Sequence, residues 1–168
     1  DVDNFVVYKA DNQTTPVPDE TAPANPGSAS VSNPTATTLD INWGAAASTD
    51  GGGYMLVKYA TNPTAEPNPI ANAVYKTGNS IGNGTIVYIG TATSYTNVQL
   101  TANTTYYYRV YTIDKAFNYS APVNTSGSTN SSVVIFKYYI DAVAGDDNNI
   151  GTTISSPWKN ISKLNSLT

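Results

Sequence analysis

The 168-residue chain contains no cysteine and no histidine, and only 12% of its residues are charged. Without cysteine there is neither a disulfide framework nor a thiolate metal site. Without histidine the commonest metal ligand and general base is missing. Eight basic residues against twelve acidic ones create no positive field to gather phosphates or an anionic membrane, so nucleic acid is not an expected partner. No apolar run approaches the roughly 18 residues of a transmembrane helix. Glutamate is scarce as well: Glu20 and Glu66 lie in proline-rich stretches, too loosely held to act as an acid–base pair across one bond. The serines have no activating base, and no catalytic residue is assigned to this stretch.

What the chain does have is tyrosine, thirteen of them, among abundant Thr, Asn, Ser and Gly. That composition points to an extracellular or cell-surface β-protein. Triplets of the form N-x-S/T, as at Asn83, Asn103 and Asn118, arise readily in such a composition and carry no weight. The opening DVDNFVVYKA is expected to continue from a longer polypeptide. Residues 1–20 read as the last strand of a preceding β-domain, Phe5 to Tyr8, followed by a proline-rich linker.

Residues 21–129 alternate short β-branched or aromatic runs with Gly, Pro and Asn clusters, the spacing of an antiparallel sandwich. Strands are expected at 28–32, 38–43, 54–60, 85–90, 94–99, 105–114 and 120–126, seven in all. In TLDINW, Leu39, Ile41 and Trp43 share one face and Asp40 and Asn42 the other, the period of two of a half-buried strand. GNSIGNG lacks the lysine and following helix of a phosphate cradle and reads as a hairpin loop.

In LTANTTYYYRV, Leu100, Thr104, Tyr106, Tyr108 and Val110 stand at even spacing. The run resembles the L-x-P-x-T-x-Y-x-F-x-V pattern of fibronectin type III domains. The resemblance implies an all-β, seven-stranded antiparallel fibronectin type III or immunoglobulin-like sandwich, with strand and linker extensions at both ends. It further implies that Tyr106 latches a corner through its hydroxyl, that Tyr108 and Val110 continue inward, and that Trp43 is the buried tryptophan of the second strand. YTIDKAFNYSAP is similar to the family's D-x-x-G-N-x-S turn, with Phe117 where glycine is usual, so Asn118 is expected to take any positive φ the turn needs. Ala102 likewise stands where the family has proline. The long stretch between the third and fourth strands resembles an elaboration found in secreted proteins of the Bacteroidetes.

Residues 130–168 resemble the opening of right-handed parallel β-helix domains of the pectate-lyase kind: a first strand, a polar turn and a short capping helix. Ser156 is the expected N-cap and Pro157 the first helical residue, with Trp158, Ile161, Leu164 and Leu167 at helical spacing. A β-helix buries its core by stacking many coils, so this piece is expected to be incomplete or to pack on something else. Its turn, with Asp141, Asp146, Asp147, Asn148 and Asn149, offers oxygens of the kind calcium takes, but without EF-hand spacing. The reading preferred is a polar turn bonding its own backbone, with no cofactor and no metal.

The outward-facing tyrosines are the remaining candidate site. If Met55, Val57 and Tyr59 point inward, then Tyr54, Leu56 and Lys58 lie outward beside Tyr107, Arg109 and Tyr111 on the neighbouring strand. Tyr54, Tyr107, Arg109 and Tyr111 would then form an aromatic face able to stack on sugars or dock a neighbouring domain, or simply a cross-strand stabiliser. Three functions follow as expectations. The first is a non-catalytic spacer that orients neighbouring domains of one secreted bacterial polypeptide engaged in polysaccharide processing. The second is an adhesin module binding carbohydrate or a surface, and the third a fragment of a β-helix lyase or hydrolase whose active site lies elsewhere.

Overall fold

The computed structural model describes residues 19–49 and 52–167. The expected strand at Phe5 to Tyr8 and most of the linker lie outside the described residues. The chain divides into two compact units, Asp1–Ser131 and Ser132–Thr168.

The first unit is an all-β sandwich. Its strands are β1 (Ala29–Ser32), β2 (Leu39–Trp43), β3 (Gly53–Tyr59), β4 (Ser80–Ile81), β5 (Gly84–Gly90), β6 (Ser94–Asn97), β7 (Thr105–Ile113) and β8 (Val123–Ser128). Every pairing between them is antiparallel. One sheet has the order β1-β2-β6, the other β4-β5-β3-β7-β8. The seven expected strands are present, and β4 is an addition: GNSIGNG closes a two-residue hairpin in which Ile81 pairs with Gly84 and Gly82 adopts φ +56°. The last strand runs three residues later than its expected start because Pro122 has no N–H to give a ladder.

Between the sheets lie Leu39, Ile41 and Trp43 of β2, Tyr54 and Leu56 of β3, Leu100, and Tyr106, Tyr108 and Val110 of β7. The β3 register is the reverse of the sequence expectation. Leu56 pairs with Val110 and Lys58 with Tyr108, and directly opposed residues share a face, so Tyr54 and Leu56 point inward. That register puts Lys58 on the inward side, where burying its ammonium unpaired would be costly. The lysine escapes that cost at the rim of the core, where its ammonium lies 5.5 Å from the Tyr106 ring centroid.

Both corners of β7 are held by side chains. At its start the Thr101 amide donates to the Tyr106 hydroxyl at 2.9 Å. At its end the Asp114 carboxylate accepts from the amides of Ala116 (2.9 Å) and Asn118 (2.8 Å). The left-handed residue of this turn is Phe117, at φ +61°, and not Asn118. Asn118 is buried instead, its amide nitrogen donating to Asp114 Oδ2 at 3.0 Å, and these bonds offset the strain of a β-carbon in that region.

The second unit is built on turns. Ile140 and Trp158 form a parallel bridge, with the Trp158 amide donating to Tyr139 O and the Asp141 amide to Trp158 O. This pairing requires extended backbone at Trp158, so the expected helix from Pro157 does not form. A 3₁₀ helix spans Ile161–Ser166 and buries none of its residues. The N-cap is Asn160 rather than Ser156, with no side-chain cap bond, and Asp147 holds the residues just before the helix by accepting from the amides of Lys159 (3.0 Å) and Asn160 (2.9 Å). Trp158 is buried against Tyr138, stacked at 4.8 Å, and its Nε1 donates to Asn149 O.

Candidate functional site

Alternation along β7 sends Tyr107, Arg109 and Tyr111 to the outer face of the five-stranded sheet, with Met55, Val57 and Tyr59 beside them on β3. This face is not open. Residues 60–79 leave β3, cross back over the sheet and roof it, with Tyr75 packed against a second apolar cluster of Met55, Val57, Tyr59, Ile81, Ile86, Tyr111 and Ile113. Tyr111 is 0% exposed, Tyr59 2% and Arg109 6%.

Burying a guanidinium is costly unless its donors find acceptors; here the Nη groups do, while Nε is buried without a partner. Arg109 donates through Nη1 to the carbonyls of Glu66 (3.0 Å) and Pro67 (3.3 Å) and through Nη2 to that of Pro63, while its Cζ lies 5.7 Å from the Tyr59 ring centroid. The arginine is thus a staple between sheet and roof. Further bonds join the same layers: Tyr111 Oη donates to Asn68 Oδ1 at 3.3 Å and Tyr119 Oη to Ala73 O at 2.6 Å, with Tyr75 and Tyr119 edge-on at 5.6 Å. Glu66 fastens the roof to the β4–β5 turn by accepting from the Asn83 amide (2.9 Å) and side chain (2.8 Å). Burial pushes the Tyr59 and Tyr119 hydroxyls up to about 12 and raises that of Tyr111.

The expected ligand face therefore needs correction residue by residue. Tyr54 lies on the opposite side of the sheet, its hydroxyl accepting from the Ala46 amide at 2.9 Å. Arg109 and Tyr111 lie under the roof and offer no surface to a ligand. Tyr107 alone is half-open. The missed signal was in the sequence: YMLVKY and YYYRVYTI are nearly continuous apolar and aromatic runs, the pattern of strands buried on both faces.

Tyr107 borders a groove of about 500 Å³ between the bend at Asn62–Thr64 and strands β7 and β8, walled on the far side by Asn124, Thr125 and Ser126. Cross-strand register sets Tyr107 against Ser126 and Arg109 against Asn124, so these side chains share the outer face. The acidic turn of the second unit is engaged by its own chain. Asp141 accepts from the amides of Val143 and Ala144, Asp146 from Asn148, and Asp147 from Lys159 and Asn160. Asn149 donates to Pro157 O at 2.9 Å. These bonds hold the Asp141 and Asp147 carboxyls below their usual range. Among the described residues no group of three or more His, Cys, Asp or Glu could hold a metal ion.

The observation that decides the fold is the division of strands into β1-β2-β6 and β5-β3-β7-β8, with a tyrosine near the start of β7 latched to backbone just upstream. The fold is a fibronectin type III-like sandwich. No protein-family model matches the chain, and no curated protein does. Similar solved structures include a computationally redesigned β-sandwich protein, 25% identical, covering 64% of this chain and 96% of its own with a TM-score of 0.47. They also include the FN3tt domain, 18% identical, covering 67% and 99% at 0.48. A fibronectin type III domain of human fibronectin type III domain containing protein 3 is 19% identical and covers 67% and 91% at 0.47.

Proposed function

We propose that residues 19–131 are a non-catalytic spacer that sets the separation and orientation of neighbouring domains of one polypeptide. The observation carrying this reading is that the polypeptide is pinned at opposite poles of the sandwich. Near the end of β7, Asn118 donates to the carbonyl of Asp19 at 2.8 Å, fixing the incoming chain to the 114–118 turn. Near the start of β7, Thr129 donates to Thr101 O at 2.6 Å and the Asn130 amide to Thr35 O at 2.8 Å, fixing the outgoing chain. Nine residues of strand separate the poles, roughly 30 Å at about 3.3 Å per residue. Many domains bring their ends close together. A module whose ends are apart and tied acts as a rod.

The same proposal takes the parent to be a secreted or cell-surface bacterial protein, of Bacteroidetes type and engaged in polysaccharide processing, in which residues 132–168 open a stacked-coil domain. The parallel bridge between Ile140 and Trp158 supports that reading, as do the exposed side chains of Val133, Val134, Ile135 and Phe136, which suit a strand covered on both faces.

The absence of cysteine makes the test direct. Spin labels placed through cysteines at Thr21 and Ser131 of the full chain should give one narrow distance, and Asn118→Ala should broaden it. A broad distribution in the unaltered chain would contradict the rod.

A further inference from the structure

Beyond a spacing role, we infer that the groove beside Tyr107 is a binding site for an uncharged oligosaccharide. Its volume, about 500 Å³, falls in the range of small-ligand sites and suits one or two sugar rings. Its chemistry is selective. The side chains that line it carry hydroxyls, amides and one half-open aromatic ring, with no Asp, Glu or Lys among them. The single cation of the lining, Arg109, is buried, and its Nη1 and Nη2 donate to the carbonyls of Glu66, Pro67 and Pro63. An anion would lose water there and meet only a guanidinium whose Nη groups already donate to backbone, whereas a polyol needs neutral hydrogen-bonding groups and an aromatic edge.

Those groups are available. The hydroxyls of Tyr107 and Ser126 and the amide of Asn124 have no hydrogen-bond partner in the structure, unlike the engaged side chains beneath the roof. They are also held in place. Tyr107 packs against the second apolar cluster, and Asn124 and Ser126 stand on β8 opposite Arg109 and Tyr107. Across the groove, the Pro63 carbonyl is bonded to Arg109, tying the bend to the floor. A wall and floor fixed before binding lower the ordering cost a ligand must meet.

The test is titration of the full chain with cellohexaose, mannohexaose and xylohexaose, with hexagalacturonate as the acidic counterpart, followed by ¹H–¹⁵N spectra. At least one neutral hexasaccharide should shift the amides of Tyr107, Asn124 and Ser126 and leave those of β1 and β2 unmoved. Tyr107→Ala should weaken that binding by about tenfold. Because Tyr107 also packs on the second cluster, Asn124→Ala and Ser126→Ala on the edge strand serve as independent variants. Each should weaken binding by about threefold with the melting temperature unchanged. Shifts with hexagalacturonate alone, shifts confined to other surfaces, no shifts with any neutral sugar, or binding indifferent to all three substitutions would overturn the proposal.

Discussion

The two faces of the five-stranded sheet are both buried, but by different means. The inner face meets a second sheet, and its contacts are side chain on side chain: Leu56 and Val110 against Leu39 and Ile41, with Trp43 packed on Tyr54 at 5.8 Å. The outer face meets irregular chain, and its roof is held by polar bonds from the sheet to loop backbone, chiefly those of Arg109. A sheet can thus gain a second core without a third layer of secondary structure, provided that one multiply bonded polar group fixes the covering segment. The inner face depends on shape and apolar area, the outer on a staple.

Truncating Leu56 to alanine should break the inner side, costing about 3 kcal/mol of unfolding free energy by denaturant titration because the facing sheet cannot collapse into the void. Replacing Arg109 with methionine, which keeps length but removes the donors, should cost about 2 kcal/mol by leaving carbonyls under the roof unsatisfied. The loss should be local. Amide exchange of Glu66, Ala73 and Gly78 should quicken while the amides pairing β2 with β6 keep their protection. Uniform acceleration would show that roof and sandwich unfold together and are not separable layers.

The smallest effect is alkaline. Burial raises the hydroxyls of Tyr108 on the inner face, and of Tyr59 and Tyr119 on the outer, to about 12, above the value near 10 of an unfolded tyrosine. The unfolded state then releases protons first. The stability these groups contribute is fully present below about pH 10 and is lost as pH rises towards 12. Melting temperature should hold steady up to that range and fall beyond it.

On β2 and β7 the inner face was legible in the sequence because its signals are local. Leu39, Ile41 and Trp43 alternate with Asp40 and Asn42, and the spacing from Leu100 to Val110 carried the strand, the latch of Tyr106 being implied by its resemblance to the family pattern. The outer face was not, since alternation separates two faces of a strand without saying which is covered. The run YMLVKY is apolar on both alternations, and Lys58, whose charge favours the outward one, sits inward at the rim of the core. Nothing in the prolines of residues 63–69 says that their carbonyls would gather around an arginine forty residues away. The groove was invisible for the same reason, being formed where the segment after β3 approaches the last strand.

The helix expected from Pro157 failed on a long-range contact. Its spacing of Trp158, Ile161 and Leu164 is helical, but bonds to Tyr139 and Asp141 hold Trp158 extended and buried, and this long-range bridge outranks a helical pattern whose remaining residues are not buried. The Phe117 turn is similar. Two bonds from Asp114 place a phenylalanine where glycine would be the natural choice.

The central claim, that the chain itself covers the outer face of the sheet, is tested most directly by proton–proton contacts in the unaltered protein. The Tyr111 ring should show cross-peaks to Asn68, and the Tyr119 ring to Tyr75 and Ala73, at the intensity of core pairs such as Trp43 with Tyr54. If the Tyr111 and Tyr119 rings contact only their neighbours within the sheet, the roof is not seated and the account fails.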